Sequence, residues 1–508
     1  MAEKTMTSRE NLAIELNAEY FGVSRLQLME NAGRSVAAEI ISRFKPEESK
    51  IAIFCGLGGN GGDGFVTARH LISIGFKVDV ILAGRAQEIA DAEAQNWHSL
   101  QPLKQSMNFF EVHDSSLIPN VKANVVVDAL LGVGLKGALR QPVLQMVKRI
   151  NEMDAFKIAV DVPTGIDSDS GDVLGDAVKA NLTVTFHRAK PGLLKTKEYT
   201  GDLVVVSIGL PPEYERLTGP GDVSLVIKPR LPEVHKGEFG KLLVIGGSDV
   251  FSGAPTLVSL GALRTGVDLA YIATVQKTAY SISSISPDLI TVKLPGEYLN
   301  PRDVATIKPY LGMSTAVVMG PGLGLQAETK SAVNTIINLI EEARIPLLLD
   351  ADALKAFAGF KRKLGCPLVL TPHAGEYQIL AGREPPKDLM ERATEVQKTA
   401  EELNAVVLLK GNVDIISDGK RTKLNFTGNP GMTVGGTGDV LSGVVGAFLS
   451  QQADPFEAAV AGAFINGAAG DFVQREKGYH MVATDLLDWI PQVMNDPMSH
   501  IGVRQRVL

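Results

Sequence analysis

Gly435-Gly436-Thr437-Gly438-Asp439 stands directly before the apolar run Val440–Phe448, an arrangement of residue types that can do phosphoryl chemistry. Glycines let a backbone approach a ligand closely and take positive φ. The helix expected from the apolar run begins with unpaired N–H groups and a partial positive charge, which suit a phosphate. The same field favours an ionised carboxylate, so Asp439 is expected to be charged at neutral pH. It would then take a proton from a hydroxyl while the N–H groups hold the phosphoryl group under attack. This stretch alone fits equally well a tight turn with Asp439 as a helix cap.

A second cluster lies in the first half. The apolar strand Ile51–Cys55 runs into Gly56-Leu57-Gly58-Gly59-Asn60-Gly61-Gly62-Asp63-Gly64, and a helix is expected from about Phe65. Strand, glycine loop and helix form the geometry of a phosphate or dinucleotide site, although the spacing is neither the P-loop pattern nor a clean GxGxxG. Asp128 ends another apolar stretch and precedes Gly132-Val133-Gly134-Leu135-Lys136-Gly137, and Asp161-Val162-Pro163-Thr164 ends a third. Singly these are turn or cap residues. Three polar strand ends at one edge of a sheet point to a site.

The elements that must position these groups alternate regularly. Strands are expected at Lys77–Leu82, 124–128, 157–162 and Leu182–Phe186, and after the midpoint at 242–245, 268–273, Ala316–Met319, 346–349 and Val406–Leu409, with a β pair around Ser417-Asp418-Gly419. Helical stretches between them predict α/β layers with mainly parallel sheets. Thr7 and Glu10 have capping-box spacing before the first helix. At 508 residues the chain suits two or three domains, and the Pro/Gly-rich segment Pro211–Asp222 marks a boundary, giving domains 1–222 and 223–508, with a strand expected at Ser224–Ile227. A composition 45% hydrophobic and 21% charged is that of a globular protein, and a net charge of −7 argues against nucleic-acid or anionic-membrane surfaces. Two cysteines, Cys55 and Cys366, suit a reducing compartment, and no signal or membrane-spanning run is evident, so a cytoplasmic location is expected.

LMENAG, GGNGGDG, VVDALLGVGLKG and DVPTGID, in that order, resemble the NAD(P)H-hydrate epimerase or YjeF N-terminal domain. The resemblance implies a Rossmann-like three-layer αβα fold. By it, Asn60, Gly61, Gly62, Asp63, Gly64, Gly132, Val133, Gly134, Leu135, Lys136, Gly137, Ala138 and Asp161 would contact a hydrated nicotinamide nucleotide, with Asp161 as acid/base. Asn60, Asp128 and Thr164 would hold a potassium ion, and hard oxygen donors suit such a cation. Threonine stands at 164 where the family usually has serine; the hydroxyl is kept. Lys190-Pro191-Gly192-Leu193 matches a family segment and receives no role.

In the second half, HKGEFG, SGAP, GPGLG, DADAL, TPHAGE, LKG and GGTGD follow the order of the ADP/ATP-dependent NAD(P)H-hydrate dehydratases, the ribokinase-like YjeF C-terminal domain. The resemblance implies a second αβα domain in which Ala254, Gly322, His373 and Asp439 border the hydrated nucleotide, while Lys410, Gly411, Asn412, Val413, Asp414 and Gly438 border ADP or ATP with Mg²⁺. Asp439 would be the general base. Asp350 and Asp352 read as helix caps and stay outside the site. The implied activity is epimerisation of R and S hydrates followed by dehydration of the S form, with ADP favoured as phosphoryl source in a homo-oligomer. The alternative is a small-molecule kinase of the same superfamily fused to a nucleotide-binding module. GGTGD alone does not separate the two.

Overall fold

The structure, a computed structural model, describes residues 5–103 and 105–504. It divides into two compact units, one ending at Pro212 and the other starting at Glu213.

The first unit is built on a 7-stranded parallel sheet: β1 (Lys50–Cys55), β2 (Lys77–Leu82), β3 (Met107–Glu111), β4 (Val125–Ala129), β5 (Phe156–Val160), β6 (Leu182–Phe186) and β7 (Asp202–Val206), in spatial order β3-β2-β1-β4-β5-β6-β7. Both faces of the central strands are covered, which is why they read as unbroken apolar runs. On one face, Ala52, Phe54 and Val126 pack with Met146, Val147 and Ile150 of the helix Val143–Glu152. On the other, the helix Gly59–Ser73 lies so close that a Cβ on Gly64 would sit 2.7 Å from the Cys55 sulfur. That helix begins at Gly59, not near Phe65 as the sequence led us to expect. A Cβ on Gly61 would stand 1.8 Å from the Gly56 carbonyl oxygen. The glycines therefore let a helix, rather than a loop, start hard against the end of β1. The capping box forms as expected, with Glu10 N–H donating to Thr7 Oγ1 (3.3 Å) and Thr7 N–H to Glu10 Oε2 (2.9 Å).

The second unit holds a 9-stranded sheet: β8 (Lys241–Ile245), β9 (Leu269–Val275), β10 (Ile290–Leu294), β11 (Ala316–Met319), β12 (Leu347–Leu349), β13 (Leu368–Leu370), β14 (Val406–Leu409), β15 (Asp414–Ser417) and β16 (Thr422–Asn425), ordered β10-β9-β8-β11-β12-β13-β14-β15-β16. Only the β14–β15–β16 pairings are antiparallel, and β15 and β16 form the expected pair. Ser224–Ile227 is not a strand: Pro220–Val226 is a helix, with Pro220 in its first turn and Gly219 N–H donating to Asp222 (2.9 Å). Strands β3, β7, β10 and β13 were not anticipated. The first three are sheet edges, and β13 spans three residues, so none carries a long apolar run.

Both cysteines are free and buried. Among the described residues, no helix is long and apolar enough to cross a membrane.

Candidate functional site

In the first unit the sheet order reverses direction between β1 and β4, and the polar strand ends gather there. Asn60 reaches from the helix after β1 and donates through Nδ2 to the Val160 carbonyl at the end of β5 (3.0 Å). A Cβ on Gly132 would come within 2.8 Å of Asn60 Oδ1, so glycine is what lets the loop after β4 close over Asn60. Asp128 accepts from the Thr164 backbone N–H on Oδ2 (2.8 Å) and from Thr164 Oγ1 on Oδ1 (2.7 Å). Asp128 and Thr164 are thus joined across two adjacent strands, and Asn60 bonds to the end of the second of them. Asp128 is 1% exposed and makes no ion pair among the described residues; burial pushes its pKa up to about 6, against the hydrogen bonds from Thr164 and Leu130. A buried carboxylate bonded to a hydroxyl supplies hard oxygen donors of the kind that fit an alkali ion.

Asp161 sits one strand further on, with φ of 64°. Non-glycine residues in that region carry strain, and they cluster at functional positions. Thr185 Oγ1 (3.0 Å), Phe186 N–H (3.1 Å) and the Lys190 ammonium all donate to its Oδ1. Asp63, on the helix Gly59–Ser73, is buried, and burial followed by the charges of Asp161, Glu15 and Glu93 raises its pKa well above the carboxylate range. Val133–Ala138 form the largely exposed loop above.

The second unit gathers its charged groups around the helix Thr437–Ser450. Gly436 precedes it with φ of 101° and lies against Leu257 and Ala483, an approach and a conformation that only glycine provides. Asp439 is in the first turn with no capping bond. Its carboxyl is not the freely ionised group expected from the helix field. Burial, then the neighbouring Asp350, pushes its pKa up to about 7; Lys410 offsets part of this and Glu376 adds to it. Lys410, at the end of β14, pairs with Asp350 Oδ1 (2.9 Å), and Gly438 lies close enough that a Cβ would be 3.4 Å from its Nζ. Burial works against that ammonium, but Asp350, Glu376 and Asp439 outweigh it and raise its pKa. His373 caps the helix Ala374–Ala381, its Nδ1 accepting from Gly375 (3.0 Å) and Glu376 (3.3 Å) N–H, with the side chain 60% exposed. Gly411–Asp414 form the turn between β14 and β15, closed by Gly411 N–H to Asp414 (3.0 Å). Ala254 opens the helix Gly253–Arg264, which packs along the helix Thr437–Ser450, and a Cβ on Gly322 would lie 3.5 Å from the Ala254 Cβ.

One member was missed. Asp350, read as a cap, makes no capping bond; it is buried and holds both Lys410 and Ser442 Oγ (2.8 Å). The position of DADAL at a strand end was the available signal. Asp352 instead accepts from Gly324 N–H (2.9 Å) and fixes the GPGLG loop.

A family model described as NAD(P)H-hydrate dehydratase matches residues 242–492, and one described as YjeF-related protein N-terminus matches residues 25–192. The bifunctional NAD(P)H-hydrate repair enzyme Nnr of Pyrobaculum aerophilum is 45% identical over 499 residues, covering 97% of this chain and 98% of that one. The chain belongs to the bifunctional NAD(P)H-hydrate repair enzymes. Another member of this repair family, from Hyperthermus butylicus, is 42% identical over 98% of this chain and 93% of its own length. Among solved structures, the protein SMU.573 of Streptococcus mutans matches with a TM-score of 0.50 and 25% identity over 56% of this chain and 99% of that one. As in its hydrate-repair relatives, a YjeF-type N-terminal domain precedes a ribokinase-like dehydratase domain. The kinase alternative gives way, because these relatives match both halves in a single chain.

Proposed function

We propose that the chain restores hydrated NADH and NADPH in two steps, one in each domain. In the first, a proton delivered to the C6 hydroxyl lets it leave as water, the C–O electron pair going to oxygen while the ring nitrogen stabilises the cation. Water then adds to either face of C6 and Asp161 takes its proton, interconverting R and S. Asn60–Gly64, Gly132–Ala138 and Asp161 would border the nucleotide. Asn60, Asp128 and Thr164 would hold a potassium ion, which would balance the buried charge of Asp128.

In the second step Asp439 removes the proton of the C6 hydroxyl as its oxygen attacks the terminal phosphoryl group of ADP or ATP, releasing AMP or ADP. The N–H groups of Gly436–Gly438 and the Lys410 ammonium face the phosphoryl charge. Phosphate then leaves C6 with the bonding pair, and loss of the C5 proton regenerates the reduced ring. Ala254, Gly322 and His373 would line the hydrate, and Lys410–Asp414 with Gly438 the nucleotide. Mg²⁺ would enter with the nucleotide phosphates and neutralise part of their charge.

The observation that carries this reading is Asp439: a carboxyl pushed up to about 7, beside a half-buried lysine, at a glycine-opened helix start. A pKa near the working pH is what a general base requires. The test is recovery of reduced-nicotinamide absorbance from an R/S hydrate mixture with Mg²⁺ and ADP or ATP. Full recovery is expected, and the productive nucleotide identifies the phosphoryl source. Formation of a stable phosphorylated product with no recovery would refute it.

A further inference from the structure

Lys190 lies in the segment after β6 and is 0% exposed. A fully buried ammonium is costly unless it is paired and hydrogen-bonded. Lys190 is both: its Nζ donates to Asp161 Oδ1, to Thr185 Oγ1 (3.1 Å) and to the Phe186 carbonyl (3.2 Å). Thr185 Oγ1 in turn donates to the same Oδ1 of Asp161, as does Phe186 N–H. Oδ1 therefore receives three donors, all from the end of β6 and the segment behind it. Oδ2 of Asp161 has no hydrogen-bond partner among the described residues, although the carboxylate belongs to a cluster at the ligand-binding edge of the sheet. The carboxylate is thus asymmetric: one oxygen is saturated by protein, the other is left for a ligand.

We propose that Lys190 is the positioning residue of the first domain, capping Oδ1 of Asp161 so that Oδ2 alone is presented to the hydrated ring. This rests on the reading of Asp161 as the acid/base of epimerisation. Three things follow from the geometry. A carboxylate held through one oxygen cannot swing, which fixes the distance to the reacting hydroxyl. Its strained φ of 64° is tolerated because three bonds hold the side chain in place. The ammonium also opposes the other charges facing Asp161, which are Glu15 on the helix Ser8–Tyr20 and Asp63 on the helix Gly59–Ser73; beyond them lie Glu93 and its partner Arg25 (2.5 Å). Among the described residues, Lys190 is the cation paired with Asp161.

The experiment uses the full chain with nucleotide omitted, so that the second domain is silent, and follows R-to-S exchange of the hydrate by chromatography. Wild type, D161N, K190M and T185V are compared, with S-hydrate dehydration by the same preparations as the control for intact protein. K190M is expected to lose on the order of 10²-fold in kcat with KM little changed. T185V removes one Oδ1 donor without removing charge, so it should lose less in kcat, again with KM little changed. Should K190M prove poorly folded, T185V still carries the test through its kcat. Wild-type kcat in folded K190M and T185V, or a loss carried by KM with kcat unchanged, would overturn the proposal. Absence of exchange in wild type, or wild-type exchange in D161N, would overturn the Asp161 reading itself and this inference with it.

Discussion

Asp439 stands in the first turn of a helix, yet burial and Asp350 outweigh the helix field and hold its pKa at about 7. Dehydration should therefore rise with pH through about 7, and D350N should move that limb to lower pH by removing the repulsion. D439N should cost on the order of 10²- to 10⁴-fold in dehydration rate. The same group sets a stability trend. Its folded pKa lies above the ordinary carboxylate value, so its favourable contribution is complete in acid and is lost as pH rises through about 7. D439N should thus have a higher Tm than wild type at pH 8 and no such advantage near pH 4, read by thermal melts. Asp439 was legible in the sequence because a glycine cluster announces it. Asp350 was not: its partners Lys410 and Ser442 are 60 and 92 residues away, and only the fold brings them together. The titration of Asp439 was misjudged for the same reason, since the helix field is local and the opposing carboxyls are not.

At the level of elements, the helices Gly253–Arg264 and Thr437–Ser450 meet through missing side chains. A Cβ on Gly443 would lie 2.1 Å from the Val258 carbonyl oxygen, and one on Gly261 2.9 Å from that of Val440. G443A should destabilise the dehydratase domain by about 1–3 kcal/mol through overpacking. It should also lower dehydration, because the pair carries Ala254 and the anion-binding turn, while leaving R/S exchange unchanged in the same preparation. The strands of both sheets were legible wherever two covered faces make a continuous apolar run, as in Ala316–Met319 and Val406–Leu409. Edge strands such as β3 and β10, with one side open, lack that signature. Gly59–Gly64 misled in the other direction: glycine usually marks a loop, but here it marks a helix that must touch a strand.

For the whole molecule, the residues proposed for the two activities fall in separate units, one set ending at Lys190 and the other beginning at Ala254. D161N should dehydrate the S hydrate fully and leave the R fraction, apart from its slow spontaneous exchange. D439N should exchange R and S and restore nothing. Mixed together, the two variants should recover the absorbance of the entire mixture, because the S hydrate can diffuse from one polypeptide to the other. Recovery that still stops at the S fraction would show that the hydrate must pass within one chain.

Cys55 and Cys366 are both buried, and burial pushes the Cys55 thiol far up and the Cys366 thiol up to about 11. The nucleophile toward alkylating reagents and peroxide is the thiolate, and neither sulfur offers one at neutral pH. The native protein should take up no iodoacetamide, keep both thiols unoxidised under mild peroxide treatment, and need no reducing agent in storage. The cysteines of a protein that mends damaged redox carriers would then be indifferent to the oxidants around them.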